Sequence, residues 1–117
     1  EVMATVESDE WNWDAVHDGM WQVLNHPWNA SNYVQWIDCK WVCAGKTGTA
    51  QKGEGITNDG IFICYGPYSD PEIAVCVIVE RGGAGASVQF MARQIMDVYI
   101  NIRSYSDSSE SEMALLR

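Results

Sequence analysis

One lysine, two threonines and two glycines fall together in Ala-Gly-Lys-Thr-Gly-Thr-Ala-Gln, residues 44–51. An ammonium beside hydroxyls is an anion-holding set, and two chemistries use Gly-Lys-Thr. In a phosphate-cradling loop, glycines open the backbone amides toward the phosphates and a helix starts at the lysine. That pattern needs a glycine at position 40, where the chain has Lys40, and residues 47–53, Thr-Gly-Thr-Ala-Gln-Lys-Gly, suit a strand and its exit better than a first helical turn. The other reading is a strand along the wall of a cleft. Side chains alternate on a strand, so Thr47 and Thr49 share one face while Lys46 and Gly48 share the other. Two hydroxyls then meet a carboxylate from one side, and Lys46 reaches round the strand edge to add positive potential. Gly48 leaves room for a substrate backbone, and the amide of Thr49 is a candidate donor to a developing oxyanion.

The elements around this stretch decide whether it can be a strand. Trp13, Val16, Met20, Val23 and Leu24 recur at helical spacing, Ser8 or Asp9 can cap the start, and Pro27 follows the end, which predicts an amphipathic helix over about 9–25. Residues 26–40 have no clean period and read as a loop with at most one short strand. An extended segment over about 41–51 then runs into Lys-Gly-Glu-Gly-Ile-Thr-Asn-Asp-Gly, a turn or flexible connection. The β-branched runs 60–66 and 73–80, split by Pro-Tyr-Ser-Asp-Pro-Glu, predict an antiparallel hairpin. The second run is apolar at consecutive positions, so helices are expected over both its faces. Val88, Met91, Ala92, Ile95, Val98 and Tyr99 mark a second amphipathic helix over about 87–102. Residues 104–117, serine-rich and acidic, are expected to be a disordered tail. The fold class is α+β: a small antiparallel sheet of about three strands flanked by two amphipathic helices, all within residues 1–103.

Size and charge narrow the function classes. A chain of 117 residues supports one hydrophobic core. Seven Lys plus Arg against sixteen Asp plus Glu give a net charge of −9, which opposes binding to nucleic acid, and no basic patch offsets it. No apolar run reaches 18 residues, and the opening Glu-Val-Met-Ala-Thr-Val-Glu lacks the basic-then-apolar order of a signal peptide. Cys39, Cys43, Cys64 and Cys76 contain no Cys-x-x-Cys pair, so no structural metal site is expected. Cys64 and Cys76, each inside an apolar run, read as small buried hydrophobes. No motif calls for a cofactor.

The box and the segments on either side of it resemble a known family. The Lys-Thr-Gly-Thr box at 46–49, together with residues 13–25, 58–85 and 91–101, is similar in order and spacing to the C-terminal third of the transpeptidase domain of class B penicillin-binding proteins, the D,D-transpeptidases of peptidoglycan crosslinking. The similarity spans about residues 11–102. It implies that Lys46 polarises a serine-centred network, and that Thr47 and Thr49 bind the terminal carboxylate of a D-Ala-D-Ala stem peptide or of a β-lactam. The Thr49 amide would complete an oxyanion hole, in acyl transfer through an acyl-serine. It also implies a parent on the outer face of a bacterial cytoplasmic membrane. Neither the Ser-x-x-Lys nucleophile motif nor Ser-x-Asn occurs in these residues, so the chain reads as a piece of such a domain, without a catalytic residue of its own and inactive alone. Self-association through a bare 73–80 strand edge is expected. The alternative is a non-catalytic module of the same fold that holds a peptide, glycan or protein partner.

Other features have plainer readings. All six tryptophans lie between residues 11 and 41; a glycan-stacking platform is one account, and core or helix packing, for Trp13 and Trp21 above all, is the simpler one. His17 reads as a surface or partly packed histidine. Asn29-Ala-Ser is a short sequon match of little weight. Arg-Gly-Gly-Ala-Gly-Ala, 81–86, reads as a sharp strand-to-helix turn rather than an anion-binding loop.

Overall fold

The computed structural model describes residues 2–116. In chain order the elements are α1 (Glu10–Asn25), α2 (Ala30–Trp36), β1 (Ala44–Ala50), β2 (Asp59–Gly66), β3 (Ile73–Val79) and α3 (Gly85–Leu115). The three strands form one antiparallel sheet in the order β1-β2-β3. Helix α1 begins after an extended Asp9, with Glu10 complementing the positive end of the helix. It stops before Pro27, which disfavours helical backbone in the residue ahead of it.

Register sorts the sheet into two faces. Gly45, Thr47 and Thr49 pair with Cys64, Phe62 and Gly60, and these in turn pair with Val75, Val77 and Val79. This face carries the core: Phe62, Cys64 and Val75 pack with Val88, Ala92, Met96 and Ile100 of α3, Leu24 of α1 and Trp36 of α2. Gly60 lets α3 approach, since a Cβ there would stand 2.9 Å from a Val88 methyl. The opposite face carries Lys46, Gly48, Ile61, Ile63, Tyr65, Ala74, Cys76 and Ile78. Met20 and Val23 of α1 overhang its β1 side, leaving a groove of about 490 Å³ lined also by Val16, Lys46 and Ile63.

Several expectations need correction. Residues 30–36, read as part of a loop, form α2; its only buried side chains are Asn32 and Trp36, too few positions to show a period. The 73–80 run is not covered on both faces: Val75 is buried and Val77 and Val79 are half-buried, while Ala74, Cys76 and Ile78 are exposed, because α1 lies along β1 rather than across β3. Cys76 is therefore a surface thiol, whereas Cys64 is buried as expected. Of residues 104–117, read as a disordered tail, residue 117 lies outside the described residues, and 104–115 instead continue α3 to Leu115. There Ser104, Ser106, Ser108 and Ser111 each donate to the carbonyl four residues back, so the hydroxyls are satisfied inside the helix.

The inward stripe of α3 also differs from the one expected. The buried positions are Gly85, Val88, Gln89, Ala92, Met96 and Ile100, while Ile95 and Val98 are 48% and 60% exposed. Two apolar stripes share this helix, and the one spaced by four faces the sheet. On α1 only Leu24 is buried; Trp13, read as core-facing, is 42% exposed.

Candidate functional site

The Lys46–Thr49 box lies in the middle of β1, one of the sheet's two edge strands. Three features make it a strand: Gly45 sits where a Cβ would meet the Ile63 carbonyl at 2.8 Å, Ala44 is fully buried, and the ladder to β2 is unbroken from Ala44 to Ala50. Asn25 fixes the approach by donating to the Cys43 carbonyl at 2.8 Å and to the Trp21 carbonyl at 2.8 Å. Behind the strand, Lys52 pairs with Asp59 at 2.8 Å, and Asp59 also accepts from the Arg81 amide at 2.8 Å. Lys52, then the Arg81 backbone, hold the Asp59 carboxyl below the usual carboxylate range.

Within the box the alternation is as expected. Thr47 and Thr49 point to the α3 side, Lys46 and Gly48 to the α1 side. Lys46 is exposed, and its Nζ donates to the Thr47 carbonyl at 2.7 Å, curled over the strand edge. Thr47 is half-buried and Thr49 exposed. The Thr49 hydroxyl accepts a hydrogen bond from the Gly85 amide at 3.3 Å, which leaves its own proton to donate outward. An ammonium and two hydroxyls thus lie together on an edge strand, with one hydroxyl oriented by a helix-start amide. No cluster of three or more metal-ligating side chains occurs among the described residues.

Gly85 is the residue sequence reasoning missed. A Cβ there would run into the Gly48 and Ile61 carbonyl oxygens and the Gly48 amide. The first turn of α3 thus rests directly on the β1–β2 backbone behind the box. The Arg-Gly-Gly-Ala-Gly-Ala stretch is the sharp turn it was read as, with positive φ at Arg81 and Gly83, and its Gly85 amide is occupied by Thr49. The glycine-rich composition was the available signal; which strand lay opposite was not. His17 is exposed, with its ring 5.8 Å from that of Tyr65. Of the tryptophans, Trp36 is buried, whereas Trp28 is 75% exposed and stacked on His26.

The chain is similar to known proteins. Residues 5–97 match the family model described as the penicillin binding protein transpeptidase domain. The chain is 34% identical over 106 residues to the peptidoglycan D,D-transpeptidase MrdA of Haemophilus influenzae, covering 78% of this chain and 16% of that protein. Among solved structures it is similar to Pseudomonas aeruginosa PBP2 in complex with WCK 5153, with a TM-score of 0.69 and 33% identity over 81% of this chain and 21% of that one. It is also similar to Helicobacter pylori PBP2 in complex with MreC, with a TM-score of 0.69 and 25% identity over 84% of this chain and 19% of that one. The chain thus spans about a sixth of the length of the curated relative it matches.

Proposed function

From the premise that the chain belongs to the penicillin-binding protein transpeptidase family, we propose that it supplies the carboxylate-binding wall of a D,D-transpeptidase that crosslinks peptidoglycan outside the cytoplasmic membrane. The observation that carries this reading is the Lys46–Thr49 box on the open edge of the sheet, with Thr47 and Thr49 on one face and Lys46 able to bend round the edge. Thr47 and Thr49 donate to the terminal carboxylate of a D-Ala-D-Ala stem peptide or to the carboxylate of a β-lactam. Lys46 contributes positive potential toward the serine-centred network, and the Thr49 amide donates to the oxyanion of the tetrahedral intermediate. These 117 residues contain no Ser-x-x-Lys and no Ser-x-Asn, so the nucleophile must come from outside them.

Two measurements with a fluorescent penicillin test this. The 117-residue chain alone takes no covalent label; stoichiometric labelling would place a nucleophile within it and overturn the reading. A chimera in which residues 11–102 replace the matching segment of Pseudomonas aeruginosa PBP2 does take label, and Lys46→Ala within it slows acylation by about 10²–10³, the loss typical for one electrostatic contact of an acyl-transfer site. A folded chimera that stays unlabelled, while the isolated chain binds a D-Ala-D-Ala peptide reversibly, would replace the enzyme reading with that of a binding module.

A further inference from the structure

Two of the four cysteines face each other beside the box. Cys39 lies in the connection after α2 and Cys43 directly precedes β1; their sulfurs are 4.0 Å apart. Cys43 is buried and held in place: a Cβ on Gly66 would stand 2.8 Å from its Sγ, which lies 3.6 Å from the Trp41 carbonyl oxygen. Cys39 is half-buried, so of the two it is the one that solvent-borne reagents reach. Neither sulfur has a role in the carboxylate receptor, and the connection they span leads to Lys46 three residues beyond Cys43.

We propose that Cys39 and Cys43 form a redox-modification site, in which an external small-molecule disulfide oxidises the pair to an intramolecular disulfide that fastens the α2–β1 connection next to the Lys46 strand. The chemistry is thiol–disulfide exchange. The Cys39 thiolate attacks one sulfur of the external disulfide, forming a mixed disulfide and expelling one thiolate. Cys43, after losing its proton to water, attacks the Cys39 sulfur and expels the second. Two protein thiols are oxidised, one external disulfide is reduced to two thiols, and the two protons released end on those thiols. Closing from 4.0 Å to the bonded distance of about 2.05 Å brings the two sulfurs about 2 Å nearer. The local electrostatics favour the first step. The Cys43 hydrogen bond, then the Trp41 backbone and the Arg93 charge, hold the Cys39 thiol below its usual range against the cost of burial, while Cys43 is pushed up by the Cys39 contact and by burial. The proposal is independent of the transpeptidase reading.

Trypsin provides the test, because Lys40 lies between the two cysteines. The full chain is equilibrated in reduced and oxidised glutathione, quenched in acid, alkylated and digested. Cleavage after Lys40 and Lys46 gives peptides 1–40 and 41–46, and the expected result is that they stay joined, two hydrogens lighter than their sum, until reduced. The joined species persists in a Cys64→Ser/Cys76→Ser variant and vanishes in Cys39→Ser. Full alkylation of both cysteines, or glutathione retained on Cys39, would overturn the proposal. In the oxidised chain, amide exchange over residues 43–46 should slow by about tenfold; unchanged exchange would overturn the fastening role.

Discussion

At Gly85 a single hydrogen in place of a methyl group decides whether α3 can rest on the strand pair that carries the box. A Cβ at this position collides with backbone on both β1 and β2, and backbone cannot move aside as a flexible side chain can. Gly85→Ala should therefore lower unfolding stability by about 1–3 kcal/mol, the usual cost of overpacking, read from the urea midpoint. It should also shift β1 amide resonances, because the amide that Thr49 accepts from is pushed away. An unchanged midpoint would mean that the helix start is not in contact. Cys39 supports a second prediction at this scale. Its folded-state thiol pKa is depressed, so the thiolate is populated at lower pH than in a free cysteine. Its alkylation rate should reach half-maximum below about 8.5 and move back toward that value in Cys43→Ala, which removes the hydrogen bond that is the first cause of the depression.

Helix α2 is short, and polar contacts join the packing of Trp36 in attaching it to α3. Gln89 is fully buried; its Nε2 donates to Asn32 Oδ1 at 2.8 Å and to the Ser31 and Ala86 carbonyls, while its Oε1 accepts from Trp36 Nε1 at 3.1 Å. Arg93 adds a second clamp, with Nη1 on the Gln35 carbonyl at 2.6 Å and on Asp38 at 2.8 Å, and Nε on Asp97. Gln89→Leu keeps the volume roughly but strands the Trp36 N–H and the Asn32 oxygen, at about 1–3 kcal/mol for each group left unpaired. A fall of that size in thermal or urea stability is expected, and a neutral result would show that α2 is not held by this network. The far end of α3 behaves oppositely. Its last buried residue is Ile100, and Arg103 reaches back to Glu72 at 2.8 Å. Removing residues 106–117 should lower helical circular dichroism yet change stability by no more than about 0.5 kcal/mol.

Seen whole, the molecule has one sheet face closed by α3 and the other partly open. Ile63, Cys76 and Ile78 are exposed on the open face, Ile78 at 65%, and the outer edge of β3 pairs with no strand among the described residues. Apolar surface beside an unpaired edge draws in another chain, so the isolated 117 residues should self-associate, more so as salt screens the net charge of −9. Light scattering against concentration at low and high salt checks this, and a monomer throughout would count against it. Among the described residues no helix is long and apolar enough to cross a membrane.

Local chemistry was enough to read the side-chain alternation inside the box, the hairpin, α1 and the first half of α3. Alternation on a strand needs no partner to be known, and Lys-Thr-Gly-Thr carries its own geometry. The residue pattern likewise showed the glycine-rich turn before α3. Tertiary structure alone decided what each apolar stripe meets. Periodicity read one broad apolar face on α3, through 88, 91, 92, 95, 98 and 99, and only the position of the sheet selected 88, 92, 96 and 100. It gave no sign that Gln89 would be buried, because a glutamine enters a core only when Asn32 and Trp36 arrive from elsewhere in the chain to satisfy it. Nor could spacing reveal that Cys39 and Cys43 lie 4.0 Å apart while Cys76, in an equally apolar run, faces solvent. Proximity between residues in irregular backbone depends on the path of the connection, and that path is set by how α2 docks.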